Sequence, residues 1–230
     1  TGESEYSLVF NLMGATTGSA ISGSGITGGP FDEADLKAKF SPLNGLNGGD
    51  TVEIPAISLE KSGYLFEGWH PSNEVGITIY MPGDSFTMPD QNVAMSAVFR
   101  KQNEGANPGD FVSINMFDWD ASMIGSVIVA RSDSAEETLN SFVSSMPQFS
   151  SHLGYQFDGV WLKYSSLLPT NYDDGGVTKE DLAEDRVDFT SSAVGELLFG
   201  DETTISVKAA YKGGDTLDRT GNYSVFVSSD

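Results

Sequence analysis

The sequence contains no cysteine and only two histidines, His70 and His152. The missing thiols exclude disulfide bridges, thiolate metal sites and cysteine nucleophiles. Two imidazoles also leave few acid–base or metal sites that could be built on histidine. No apolar run is long enough to cross a membrane and no signal-peptide pattern is present, so any anchor is expected outside this stretch of chain.

Basic residues are scarce as well. The chain has 12 Lys and Arg against 33 Asp and Glu, which gives a formal net charge of −21. This surface repels nucleic acid phosphates and anionic lipid headgroups, so we expect no nucleic acid partner and no membrane insertion. We interpret the charge as a solvated surface that keeps copies apart, and we expect a monomer. Binding of a basic partner or of divalent cations is the alternative.

The residues that are abundant favour strands and turns. The chain has 230 residues, of which 39% are hydrophobic and 11% aromatic, so it can form one large domain or two smaller cores. Its 26 glycines and many Ser, Thr, Asn and Asp residues are typical of a strand-and-turn protein. The expected fold class is therefore β-rich α+β.

Two similar Gly-aromatic clusters indicate an internal repeat. The cluster "GYLFEGW" at residues 63–69 is followed by "GYQFDGVW" at 154–161. An amphipathic strand precedes each cluster, "YSLVFNLM" and "FVSINMF", and a closing strand follows each, "NVAMSAVFRK" and "TISVKAAYK". The same order of features predicts two tandem modules, residues 1–101 and 110–212, joined by a polar linker at 102–109.

Further elements are predicted within this plan. The first module has a Gly/Ser-rich insertion and one short helix at residues 32–40. The second has an amphipathic helix at 132–147, with an acidic insertion at about 167–189. Residues 213–230 predict a C-terminal strand that either begins a third module or pairs with the second.

The first module resembles the Listeria–Bacteroides repeat, also called the internalin B-type B repeat, over residues ~46–101. The resemblance rests on a Gly-Asp turn before a proline, the Gly-aromatic cluster, and a Met-Pro that leads into the closing strand. The matching residues are Gly49, Asp50, Pro55, Gly63, Tyr64, Phe66, Gly68, Trp69, Phe86, Met88, Pro89, Val93, Met95, Ala97 and Phe99. The second module lacks the Met-Pro and resembles a diverged copy, which keeps Gly154, Tyr155, Phe157, Gly159 and Trp161.

The resemblance implies two tandem β-grasp-like modules, each a small mixed or antiparallel sheet with a short helix. Such modules occur in bacterial cell-surface and secreted proteins as spacers, stalks and interaction modules, and they are not enzymes. The resemblance therefore implies an extracellular location and no catalytic residues. The Gly and aromatic residues of both clusters are expected to be structural.

The sequence offers weak candidates for chemistry. Each histidine stands near its Gly-aromatic cluster without a partner at ligand spacing, so we interpret both as residues at the edge of a turn. No nucleophile-elbow motif supports a Ser-His-Asp triad. The glycines of "GSGITGG" lack the lysine of a phosphate-binding loop and predict only a flexible loop.

The carboxylates are the only crowded groups. Asp118 and Asp120 flank Trp119, and Asp173 and Asp174 stand in the acidic insertion. Calcium prefers six to eight oxygen ligands, so these four are weak calcium candidates, although EF-hand spacing is not met. A solvated acidic surface is favoured, with no cofactor. A pair of carboxylates for glycoside hydrolysis is the least favoured alternative.

Aromatic residues after the second cluster suggest a ligand surface as an alternative to core packing. Trp161, Tyr164 and Tyr172 are the weak glycan-binding candidates. The hypothesis that the sequence favours is a non-catalytic repeat, stalk or adhesin fragment of a bacterial surface or secreted protein. The alternative is a binding module for a host or neighbouring cell-surface protein or glycan, appended to a carbohydrate-active enzyme or not, that uses the second-module loops.

Overall fold

The computed structural model describes residues 5–102, 111–130, 152, 154–165, 171–187 and 202–213. Within these residues the chain is β-rich, with one α-helix and one short 3-10 helix. The coarse expectation of a β-rich α+β fold is therefore confirmed. The described helices include none that is long and apolar enough to span a membrane.

The first module contains eight strands and the helix. Their bounds are β1 Tyr6–Asn11, β2 Thr17–Ala20, α1 Glu33–Lys39, β3 Leu43–Leu46, β4 Thr51–Glu53, β5 Ile57–Glu60, β6 Tyr64–Pro71, β7 Ser85–Thr87 and β8 Val93–Lys101. Four of the strands form one sheet in the order β3-β1-β8-β6. The remaining strands form two short antiparallel pairs, β2 with β5 and β4 with β7.

The helix α1 begins where the sequence predicts it. Asp32 is the N-cap, because its carboxylate accepts from the backbone N–H of Asp35 at 2.8 Å while Asp35 accepts from the N–H of Asp32. Leu36 is fully buried on the inner face, and the charged residues of the helix point outward. The helix therefore covers the core through a narrow apolar stripe.

The second module contains a larger sheet. Its described elements are β9 Phe111–Phe117, β10 Met123–Ala130, β11 Tyr155–Lys163, β12 Asn171–Tyr172, the 3-10 helix Glu180–Leu182, β13 Arg186–Val187 and β14 Thr204–Gly213. The sheet order is β10-β9-β14-β11-β13, and β12 pairs with β14. The division expected at residues 102–109 falls between β8 and β9.

The two sheets share one strand plan. In each, the first strand runs parallel to the closing strand, β1 with β8 and β9 with β14. The Gly-aromatic strand then runs antiparallel to the closing strand, β6 with β8 and β11 with β14. The registers also agree, because Trp69 stands opposite Ala97 and Trp161 stands opposite Ala209. The described residues support a repeated plan, while the β-grasp assignment stays a prediction.

A large apolar core extends through both modules. Trp69 is fully buried, and its ring contacts those of Phe10, Phe40 and Phe66, with centroids 5.1 to 5.8 Å apart. Its counterpart Trp161 is 4% exposed. Burial of rings of this size dominates core energetics, so the aromatic residues of the clusters hold the sheets together.

Three predictions concern residues outside the described part of the chain. These are the helix at 132–147, all but residue 102 of the linker at 102–109, and all but residue 213 of the C-terminal strand at 213–230. The acidic insertion is described over residues 171–187, where it forms β12, the 3-10 helix and β13.

Candidate functional site

The glycines of the two clusters have two different roles. Gly63 and Gly154 stand in equivalent turns with φ of +80° and +77°, a region that only glycine adopts without cost. Gly68 lies inside β6, at φ +131°, where the register with β8 shifts between Phe66 and Gly68. A Cβ there would lie 2.6 Å from the carbonyl oxygen of Tyr80. Gly68 is therefore structural without serving a turn: it permits a strand bulge and the close approach of a neighbouring segment.

A cationic side chain stands three residues before the tyrosine of the first cluster. The Lys61 ammonium lies 4.4 Å from the ring centroid of Tyr64 and 5.4 Å from that of Phe99. It also donates to the backbone oxygen of Met13 at 3.1 Å. The ammonium thus joins the start of β6 to the residues that follow β1.

His152 occupies the equivalent position in the second module. Its ring stacks on Trp119, with centroids 3.6 Å apart, and meets Tyr211 edge to face at 4.7 Å. Its Nε2 lies 3.3 Å from both carboxylate oxygens of Asp118. Like Lys61, His152 joins the Gly-aromatic strand to the end of the first strand of its module.

Asp118 is the centre of this cluster. It is 4% exposed and accepts a 2.6 Å hydrogen bond from the hydroxyl of Tyr211 in addition to the contact with His152. Burial, followed by the hydrogen bond and the charge of Asp118, raises the pKa of Tyr211 well above its usual value. The hydrogen bonds of His152 among the described residues go to Asp118 and to no hydroxyl nucleophile, so the cluster is suited to joining strands.

The other histidine lies between the two modules. His70 is fully buried on β6, and its Nδ1 lies 2.6 Å from the backbone oxygen of Thr78. Because a carbonyl oxygen only accepts, Nδ1 carries the proton and Nε2 accepts from the hydroxyl of Ser126, 2.8 Å away on β10. Burial lowers the pKa of His70, against the opposing effect of Thr78. The interpretation of His70 as a residue at the edge of a turn is therefore wrong, because His70 lies within β6 and a second sheet covers it.

Small polar side chains extend this contact. The Ser126 hydroxyl lies 2.7 Å from the amide of Asn115, which is 3.1 Å from the hydroxyl of Ser113, and Ser113 accepts from the N–H of Gly76. A hydroxyl has one proton, and Ser126 uses it toward His70. The Ser126 hydroxyl therefore cannot also donate to Asn115, and the amide of Asn115 donates to it once its oxygen and nitrogen are exchanged.

This His–Ser pair does not have the geometry of a hydrolytic site. All four polar residues of the network are fully buried: His70, Ser126, Ser113 and Asn115. The group that orients the imidazole is the carbonyl of Thr78 and not a carboxylate. A substrate has no access to Ser126 in this arrangement. The network instead fixes one sheet on the other, because buried polar groups stay satisfied in only one alignment.

The four carboxylates considered as calcium ligands do not form one site, because they have different surroundings. Asp118 binds Tyr211 and His152, and Asp120 accepts from Ser122, whose hydrogen bonds lower the pKa of Asp120. Asp174 accepts from the hydroxyl of Tyr155 at 2.7 Å, and Asp173 is exposed at φ +53°. The described part of the chain contains no group of three or more His, Asp or Glu side chains placed to hold a metal ion.

The three aromatic candidates for a glycan surface do not share one. Trp161 is 4% and Tyr172 1% exposed, so both belong to the interior. Only Tyr164 is on the surface, 42% exposed, and its ring packs on Phe117 with centroids 4.8 Å apart. Two of the three rings are therefore not available to an external ligand in this structure.

Sequence reasoning missed the polar residues between the modules. Strand β9 alternates Val112, Ile114 and Met116 with Ser113 and Asn115, and the alternation suggested that the polar face meets water. In the structure both faces are buried. The type of polar residue could have indicated this burial. The polar face of β9 carries small uncharged side chains, whereas a solvated face of so acidic a chain would be expected to carry carboxylates.

Comparison with known proteins supports the repeat in the first module. Residues 34–103 match the family described as the divergent InlB B-repeat domain. The resemblance expected for residues ~46–101 is therefore confirmed, and the match also includes most of α1 and β3. No curated protein and no solved structure matches the chain significantly. Repeat domains of this family are associated with bacterial surface or secreted proteins.

Proposed function

Starting from the divergent InlB B-repeat domain at residues 34–103, we propose that the chain is a non-catalytic, load-bearing spacer of a bacterial surface or secreted protein. It would project a neighbouring domain or an adhesive segment away from its point of attachment. The observation that carries the proposal is the parallel pairing of the first and closing strands in both modules.

Parallel pairing decides how a module bears tension along the chain. Residues Leu8 to Asn11 of β1 pair in register with Val93 to Ser96 of β8. A pull on the start of β1 and the end of β8 draws these strands past each other, so their hydrogen bonds are loaded together in shear. If the strands ran antiparallel, the same pull would break the bonds one after another. The second module has the same arrangement, with Thr204 to Lys208 beside Ser113 to Phe117.

The contact between the modules supports the same role. The buried network from His70 through Ser126 to Ser113 lies between the sheets, and Val98 packs with Phe111, Ile128 and Ala130 beside it. Two modules that share a buried interface behave as one stiff body over a greater length. The net charge of −21 adds repulsion between neighbouring copies.

Single-molecule force spectroscopy tests this role, and the absence of native cysteine allows unique attachment points. One double variant, Glu5→Cys with Gln102→Cys, pulls the β1–β8 pair in shear. The control, Thr16→Cys with Gln102→Cys, pulls from one end of the same pair, because Thr16 and Gln102 line a common groove.

The spacer role predicts an unfolding force several-fold higher in the shear geometry than in the control geometry. The reason is that rupture in shear requires all the bonds of the pair to break in one step, and forced unfolding follows the rate over that barrier. Equal forces in the two geometries would exclude a load-bearing β1–β8 pair.

A further inference from the structure

The strand registers allow the outer faces of the two sheets to be compared residue by residue. The pairs Trp69–Ala97 and Trp161–Ala209 are equivalent. The neighbouring pair in the first module, His70 opposite Ser96, therefore corresponds to Leu162 opposite Lys208 in the second. In the same way, Val98 corresponds to Ala210. These residues point to the face of each sheet that lies away from the Trp side chain.

In the first module the second module packs against this face. Val98 packs with Phe111, Ile128 and Ala130 of the β9–β10 hairpin, and His70 bonds to Ser126 of the same hairpin. We call this surface of β6 and β8 the stacking face. It is the surface through which one module is joined to the next.

In the second module the equivalent surface is covered by the chain itself. Val160, Leu162 and Ala210 form a separate apolar cluster with Tyr172 and Leu182, which come from residues 171–187. We call residues 171–187 the strap. The strap occupies the place that a following module would need.

The path of the strap explains how it stays there. It starts at the central strand β14, where Tyr172 of β12 pairs with Lys212 past the end of the pairing with β9. The 3-10 helix then carries Leu182 over the face, and the strap ends at the edge of the sheet, where Val187 of β13 pairs with Trp161 of β11. In the first module the corresponding return is shorter, because Tyr80, which bridges to Trp69, stands nine residues beyond the end of β6 at Pro71. The longer loop of the second module therefore reaches across Val160, Leu162 and Ala210 before it returns to the edge of the sheet.

We propose that the strap is an end cap, which closes the stacking face of the second module and ends the stacked array there. Stacked repeats need a terminal unit with a polar outer surface, because an uncovered stacking face binds further copies. The outer surface of the strap fits this need, since it has six acidic and two basic residues. Its exposed charged residues include Asp173, Glu180, Asp181, Glu184 and Arg186.

The strap also protects the outer edge of the sheet. Strand β11 would otherwise present unpaired backbone groups along the edge that β13 covers. One segment thus covers both surfaces through which a β module associates with another. The surface under the strap is apolar at Val160, Leu162 and Ala210. Its partner would be the same uncovered face of a second copy of this chain, because the β9–β10 hairpin of that copy is already covered by its own first module.

The test uses one substitution to displace the strap and expose the stacking face of the second module. Leu182→Asp places a carboxylate against Val160 and Leu162 and displaces the 3-10 helix, whereas Ala183→Asp adds the same charge at the next, exposed position. A third variant combines Leu182→Asp with Val160→Asp, which puts a charge on the uncovered face. Replacement of residues 171–187 by a Gly/Ser linker serves as a second way to remove the cap.

Sedimentation velocity in about 1 M NaCl measures association while charges are screened beyond about 3 Å. We expect the Leu182→Asp protein to associate with rising concentration to at least about twice the monomer mass, while Ala183→Asp stays like the parent. The added Val160→Asp should return the protein to the parent's mass. Folded Leu182→Asp and linker variants that both sediment like the parent, or association that persists with Val160→Asp, would overturn the proposal.

Discussion

His70 and Ser126 join the two modules through a hydrogen bond of 2.8 Å, although 56 residues separate them in the chain. The imidazole is neutral in this arrangement, because Nδ1 donates to Thr78 and Nε2 must accept from the hydroxyl. The contact between the modules therefore depends on one protonation state of one buried ring. That dependence can be measured.

The first prediction is a loss of stability in mild acid. In the unfolded chain His70 titrates near its ordinary pKa of 6.5, whereas burial lowers the pKa in the folded protein. Below pH 6.5 the unfolded state binds the additional proton first, so the free energy of unfolding falls by up to about 1.4 kcal/mol per pH unit. This contribution is fully present above pH 6.5. Urea unfolding between pH 5 and pH 8 measures it.

The variant His70→Gln is the control for this prediction. Glutamine keeps an acceptor for Ser126 but does not titrate, so its free energy of unfolding should depend less on pH in this range. All other titratable groups are common to both proteins, so the comparison isolates residue 70. Parallel pH profiles for parent and variant would show that His70 is not the responsible group.

The second prediction concerns the Trp of the first cluster. Trp69→Ala removes a fully buried ring and should lower the free energy of unfolding by about 3–5 kcal/mol. Tyr164→Ala is the matched control, because this ring is 42% exposed and contacts one other ring, a pair of the kind that contributes about 1 kcal/mol. Chemical denaturation of both variants compares them. Equal losses would contradict the core role of Trp69.

The third prediction separates backbone strain from steric overlap. Gly68→Ala and Gly159→Ala both place a side chain at positive φ, but only the new Cβ at Gly68 meets atoms, at 2.5 Å from Ile79 and 2.6 Å from Tyr80. Strain alone costs about 1–2 kcal/mol, and overpacking adds about 1–3 kcal/mol at Gly68. In thermal unfolding the Gly68→Ala protein should therefore have a lower melting temperature than the Gly159→Ala protein. The reverse order would contradict the close approach of Ile79 and Tyr80 to Gly68.

The fourth prediction tests the cluster around Asp118. Asp118→Ala leaves the hydroxyl of Tyr211 without its acceptor and should cost about 1.5–3 kcal/mol, the range for hydrogen bonds to charged groups. Asp120→Ala removes an exposed carboxylate whose hydrogen bonds within the described part of the chain go to nearby Ser122, so a loss of about 0.5 kcal/mol is expected. Denaturant titrations of the two variants measure both losses in the free energy of unfolding. A smaller loss for Asp118→Ala than for Asp120→Ala would show that the cluster does not hold β9 to β14.

Much of the local structure could be predicted from the sequence. Alternation of apolar residues predicted the first and closing strands, and the short helix expected at residues 32–40 is α1, with Asp32 as its N-cap. The two closing strands expected from the sequence do occupy the same place in two similar sheets, with Ala97 opposite Trp69 and Ala209 opposite Trp161. These features depend on neighbours along the chain, which the sequence displays directly.

The site residues were predicted less well, because an alternating pattern shows that a strand has two faces but not what each face meets. His70 and Asn115 are fully buried because the two sheets pack against each other there, and Tyr172 is buried because the strap crosses its own sheet. Each of these burials results from contacts between segments far apart in the chain.

The sequence by itself determined the strands, the capped helix, the repeated Gly-aromatic cluster and the strongly acidic surface. Local sterics, turn geometry and charge do not depend on distant partners. Only the tertiary structure decided that the modules share a buried interface through His70 and that residues 171–187 close the equivalent face of the second sheet. The physical reason is that hydrophobic burial is not directional, so the choice of which two faces meet depends on the shape of the whole chain.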